Sequence, residues 1–140
     1  MKTNNVQCLC NCARYPILFI VAFLLDRLTK SWAISSLTQH ESLPIISGLD
    51  LTLTFNRGLS WSILSFDSTT YFGVLTAFIG CIIALFVVYA WYEYRRGTTI
   101  LPEVLVIAGA LSNLLDRVLY GGVVDFIDCY VGQWHWPVFN

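Results

Sequence analysis

Charge is what this sequence has least of: across 140 residues, 12% are Asp, Glu, Lys or Arg while 56% are hydrophobic. A soluble domain carries roughly twice that charge. The net charge is −1 and no Lys/Arg run forms a basic patch, so nucleic acid is excluded as a partner and lipid-embedded partners are expected. His40 and His135 stand alone without an H-E-x-x-H pair, which excludes a helix-borne zinc protease. The absence of a G-x-S-x-G elbow and of a Gly-rich phosphate loop removes serine-hydrolase and nucleotide chemistry. Five cysteines make no disulfide framework. Cys8, Cys10 and Cys12 form a C-x-C-x-C array ahead of the first apolar stretch, a spacing that reads as free cytoplasmic thiols rather than a zinc site. Neither a metal nor a cofactor is expected.

Long apolar runs are what is present. Thr70 to Tyr92 contains no charge and is long enough to cross a hydrocarbon core of about 30 Å. Tyr89, Trp91, Tyr92 and Tyr94 followed by Arg95 and Arg96 read as an interfacial belt with a cytoplasmic positive flank, which orients this helix from outside to inside. A further span is expected from about Ile100 to Tyr120, ended by Gly121-Gly122. The first span is less clean, since Asp26, Arg27 and Lys30 interrupt the run that begins at Tyr15. A cleaved signal peptide is the competing reading, but charges crowd its would-be cleavage region, so an uncleaved helix with its N-terminus inside is preferred. The fold class expected is therefore an all-α membrane protein, a transmembrane helix bundle with three spans and a small extracytoplasmic β-hairpin or sheet. The hairpin comes from LDLTLTFN at Leu49 to Asn56, where Leu49, Leu51, Leu53 and Phe55 alternate with polar residues, and from LSWSIL after Asn56-Arg57-Gly58.

Polar residues inside such a bundle are costly and mark function by default. Asn113, Asp116 and Arg117 share neighbouring parts of one helix face, and Asp26 and Lys30 stand four apart on the first helix. For Asp26, Lys30 and Asp116 a structural ion-pair role is the simpler reading. Asp125 differs because it follows the glycine break at the outer end of the bundle, where water reaches it. A carboxylate that activates water needs a second one nearby to divide the acid and base roles, and the candidates within the chain are Asp116 and Asp128. A proton- or cation-conducting transporter subunit built on Asp26, Asp116 and Asp125 remains the alternative from another class. No G-x-G-D stands in the chain to support a presenilin-like protease.

Five motifs in order then carry a resemblance: DRLTK at Asp26 to Lys30, FNRGLSW at Phe55 to Trp61, NLLDR at Asn113 to Arg117, VVDFID at Val123 to Asp128, and the closing WPVFN. Together they resemble lipoprotein signal peptidase, or signal peptidase II, over nearly the whole chain after its first dozen residues. The resemblance implies a metal-free intramembrane aspartyl protease of the bacterial inner membrane. It implies diacylglyceryl-modified prolipoproteins and membrane lipid as partners, with cleavage just before the modified cysteine. It makes Asp125 one catalytic carboxylate, Asn56, Asn113 and Arg117 polar lining of the site, Asp26 a supporting residue, and Asn140 the start of the last motif. Trp61 on the outer hairpin is expected to clamp the lipidated cysteine. The family's closing motif is F-N-x-A-D followed by a fourth helix. The resemblance therefore implies that residues 1–140 are a single integral-membrane peptidase domain, incomplete at its C-terminus, with the second catalytic Asp three positions past Asn140. A truncated, non-catalytic lipoprotein-binding relative is the other reading of the same residues. Smaller departures are Ser112, where the family usually has Gly, and Leu59 and Ser60, where small residues often follow the glycine.

Overall fold

A computed structural model describes the backbone of residues 4–39, 41–58 and 68–140, with side chains described from residue 13 onward. Helix α1 spans Asn4–Ser36, strand β1 Ser42–Ile46, strand β2 Leu49–Asn56, helix α2 Thr69–Arg95, helix α3 Leu101–Tyr120, strand β3 Val123–Val131 and strand β4 Trp134–His135. Helix α3 begins with Pro102 in its first turn, where a missing N–H costs nothing, followed by Glu103 at the positive end of the helix dipole. It ends where the glycine pair was expected to end it, on Gly121 in the left-handed conformation at φ 72°. The cysteine array is not ahead of the first helix: α1 already includes positions 8, 10 and 12.

The four strands form one antiparallel sheet in the order β1-β2-β3-β4. This differs from the expected hairpin, which paired Leu49–Asn56 with residues 59–64: the described partners of β2 are β1 and β3. On its two edges β2 pairs with β1, which precedes it, and with β3, which arrives after two intervening helices. The predicted second arm at Leu59 to Leu64, together with Trp61, lies outside the described residues, as does His40. The alternation read in β2 holds for Leu53 and Phe55, which pack with Ala33, Val124 and Phe126 in the core beneath the sheet. Between Leu51 and Thr54 a bulge shifts the register against β3. Asp50 is buried on this stretch, while Leu51 stays half-buried against the same core as Leu53 and Phe55.

Among the described residues α2 is the one helix that is long and apolar enough by itself to cross a membrane. Helix α3 packs between α1 and α2. Ala108 and Ser112 on α3 are fully buried, small enough for close helix approach. Lys30 and Asp116 are likewise fully buried. Lys30 Nζ lies 2.8 Å from Asp116 Oδ2 and 3.0 Å from Asp26 Oδ2, and Arg27 pairs with the other Asp116 oxygen. Two acids and two bases thus neutralise one another across α1 and α3, the structural role expected of Asp26, Lys30 and Asp116. Ser112 Oγ donates to Asp26 and accepts from Arg27 Nη1 at 3.1 Å, so its hydroxyl joins this network.

Removing one member strands the others in a medium that cannot solvate them. Asp116→Ala should cost about 3–5 kcal/mol in unfolding measured in detergent. Lys30→Ala combined with Asp116→Ala should cost less than the sum of the two single changes. Additive losses would show that the two side chains do not act as a pair.

Candidate active site

Strand β3 enters the site directly from the Gly121-Gly122 break, so its first residues are fixed by α3. Gly122 lets the strands close: a Cβ there would stand 3.1 Å from the backbone C of Phe55 and 3.3 Å from the backbone N and C of Asn56. The backbone N–H of Val124 donates to Asp116 Oδ2 at 3.2 Å. The neighbouring Asp125 points to the opposite face of the sheet from Val124. On that face Asn56 Nδ2 donates to Asp125 Oδ2 at 3.0 Å and Asn140 Nδ2 donates to Asp125 Oδ1 at 2.7 Å. Asn56 is held in turn, its Oδ1 accepting from Gly58 N at 2.9 Å in an Asx turn.

Asp125 is 5% exposed. Burial pushes its carboxyl above the ordinary carboxylate range; the amides of Asn56 and Asn140 and the charge of Lys30 oppose this, and the charge of Asp116 adds to it. A cavity of about 470 Å³ opens beside it, walled by Asn56, Asn113, Arg117, Asp125 and Asn140 with the apolar Ile79, Ala110, Val123, Val138 and Phe139. Asn113 Oδ1 accepts from Lys30 Nζ at 2.5 Å and from Asn140 Nδ2 at 3.4 Å, linking the buried ion network to the cavity wall. Arg117 donates to the carbonyls of Arg57 and Gly58, and its guanidinium lies 5.7 Å from the centre of the Phe72 ring. This anchors the turn that follows β2.

The structure thus brings together five of the six singled-out residues, Asn56, Asn113, Arg117, Asp125 and Asn140, around one cavity. Asp26 stands behind it, engaged by Lys30 and Ser112. Neither candidate second carboxylate meets Asp125. Both oxygens of Asp116 are taken by Arg27, Lys30 and the Val124 N–H. Asp128 faces the other side of the sheet and pairs with His135 at 3.0 Å. Among the described residues no three His, Cys, Asp or Glu side chains converge on a point that would suit a metal ion. Sequence reasoning missed Arg27, whose spacing three before Lys30 was the available signal. It also missed the 136–139 segment as cavity wall, which only the return of the chain along β3 reveals.

Comparison with known proteins places the chain among lipoprotein signal peptidases. The family model for signal peptidase (SPase) II matches residues 18–140. The lipoprotein signal peptidase of Syntrophus aciditrophicus is 35% identical over 131 residues, covering 89% of this chain and 81% of the relative. That of Hydrogenovibrio crunogenus is 37% identical over 126 residues, covering 88% and 72%. Two solved structures of bacterial membrane enzymes, each 27% identical, superpose with TM-scores of 0.72 and 0.69 over 91% of this chain and 76% and 81% of theirs.

Gly122→Ala should lower stability by about 1–3 kcal/mol through the enforced separation of β2 from the start of β3, read by thermal unfolding. Gly109→Ala, where a Cβ meets nothing within 4 Å, is the control expected to unfold at or above the parental midpoint. With the helix-rich bundle, the small antiparallel sheet and the ordered polar residues on one cavity, the chain belongs to the signal peptidase II family, a family of bacterial membrane proteases.

Proposed function

We propose that this protein is an intramembrane aspartic endopeptidase that removes signal peptides from prolipoproteins, cutting before the diacylglyceryl-modified cysteine. The observation that carries the reading is a buried carboxylate, Asp125, fixed by two amide donors at the edge of a cavity lined by both polar and apolar side chains. Such a wall suits a peptide that continues into acyl chains. The names of the relatives supply the substrate class.

In the family's closing motif, F-N-x-A-D, the second acid stands three positions past the Asn whose place Asn140 takes here. An extended chain covers that distance in about 10 Å. Asn140 already touches Asp125, so a carboxylate at that position has the reach to share the cavity. One carboxylate, ionised, takes a proton from water as the water attacks the scissile carbonyl. The other, protonated, donates to the carbonyl oxygen, and the roles exchange as the amine leaves. Asn113 and Arg117 hold the site's geometry and charge balance.

Helices α1 and α3 span the membrane with α2 as one integral-membrane domain in the bacterial inner membrane, N-terminus inside. Exposed Ile17, Val21, Leu24 and Leu28 on α1 and Leu105, Val118 and Leu119 on α3 supply the lipid-facing surface for this. Arg95 and Arg96 lie over the rings of Trp91 and Tyr92 at the opposite end of α2 from the sheet, which supports a cytoplasmic end there. The acids that a proton path would need are saturated: Asp26 and Asp116 sit against Lys30 and Arg27.

In a chain carrying the family's closing motif after Asn140, Asp125→Asn should reduce prolipoprotein cleavage by at least about a thousandfold. Cleavage at the parental rate would remove Asp125 from the mechanism. Asn56→Ala deletes a donor that favours the ionised carboxylate, so the limb of the kcat/KM profile that reports Asp125 should move to higher pH. An unmoved limb, or one displaced to lower pH, contradicts the role given to that amide.

A further inference from the structure

We infer that His135 is a positioning residue for Asn140, acting through its hydrogen bond to Asp128. This rests on the reading of Asp125 as a catalytic carboxylate. After the turn at Gly132 the chain folds back along the free edge of β3. Trp136 N donates to Cys129 O at 2.7 Å, Phe139 N to Ile127 O at 3.0 Å, and Ile127 N to Phe139 O at 2.8 Å. The next residue is Asn140, whose amide reaches the Val124 carbonyl at 3.2 Å and the Asp125 carboxylate at 2.7 Å. Pro137 interrupts this return strand because it has no N–H to donate. The backbone ladder is therefore short, and a side-chain tie at its far end gains importance.

His135 supplies that tie. Its Nδ1 lies 3.1 and 3.0 Å from the two oxygens of Asp128, and since a carboxylate only accepts, Nδ1–H is the donor. Its ring also stacks on Tyr130 with centroids 4.9 Å apart. The demand for this donor comes from the neighbouring strand. Asp50 on β2 is the direct cross-strand partner of Asp128; both are buried, and Asp50 Oδ1 has no hydrogen-bond partner among the described residues. Like charges placed opposite one another in a sheet repel. Among the described residues His135 is the one Lys, Arg or His side chain within ion-pair distance of either carboxyl. The bond therefore fixes the β3–β4 turn and sets where the return strand starts, and with it where Asn140 finishes, five residues later on the opposite side of the sheet.

Two substitutions separate the bond from the ring. His135→Phe keeps an aromatic against Tyr130 and cannot donate to Asp128, while His135→Asn offers its amide nitrogen near the place of Nδ1. Per mole of folded protein carrying the closing motif, His135→Phe should lower kcat on the order of tenfold with KM within about twofold, since small misplacements of catalytic groups act on the chemical step. His135→Asn should restore most of the loss. In an Asn140→Ala background His135→Phe should cost nothing further, because the residue through which it acts is gone. The side-chain amide resonances of isotopically labelled Asn140 read the placement without any cleavage: they should shift in His135→Phe and return toward parental positions in His135→Asn. Parental kcat in His135→Phe, a His135→Asn variant as impaired as the Phe one, or a loss that recurs undiminished without the Asn140 amide would each overturn the inference. If Asp125→Asn cleaves normally the catalytic reading fails instead, and the Asn140 resonances still decide whether His135 sets that side chain.

Discussion

The carboxylate of Asp116 is the point on which the arrangement turns. One oxygen faces Arg27, the other faces Lys30 and also accepts from the Val124 N–H, so a single fully buried group ties α1, α3 and the start of β3 together. Each unsatisfied polar group in hydrocarbon costs several kcal/mol, and a charge costs more. The partners are consequently not interchangeable. Lys30 extends the same network to Asn113 and so to the cavity wall, while Asp125 follows Val124 by one residue and inherits its position. The ion network that keeps the helices together is also what aims the site.

A division of labour follows. Asp26 and Asp116 spend their charge on neighbouring cations and hold the scaffold. Asp125, whose hydrogen-bond partners are the neutral amides of Asn56 and Asn140, is left in a buried setting that resists its ionisation, which suits the proton-transfer role proposed for it. Ser112 shows how a departure from the family's usual glycine is absorbed. Its hydroxyl fits the helix contact and is satisfied on both sides by Asp26 and Arg27.

Much of this was legible beforehand, for identifiable reasons. Helix α2 declares itself by an uninterrupted apolar run, and the end of α3 by a glycine pair whose first member adopts the left-handed conformation. The polar residues of the site stand out because an apolar chain has few of them, and Asn113, Asp116 and Arg117 follow helical spacing. The sheet was harder. Its central pairing joins β2 to a strand nearly seventy residues further on, which no local pattern encodes, and the burial of Asp50 beside a register shift is equally invisible to simple alternation. The pairing of Asp128 with His135, and the return of the chain to Asp125, likewise depend on contacts that exist only after β3 has been laid beside β2.

The most direct test of the central claim is a structure of the Asp125→Asn protein with an uncleaved diacylglyceryl prolipoprotein segment. The account predicts that the scissile carbonyl lies in the cavity between residue 125 and Asn140, with a water or its site about 3–3.5 Å from the carbonyl carbon and within hydrogen-bond reach of residue 125. A lipidated cysteine bound elsewhere, with this cavity free of the peptide, would contradict it.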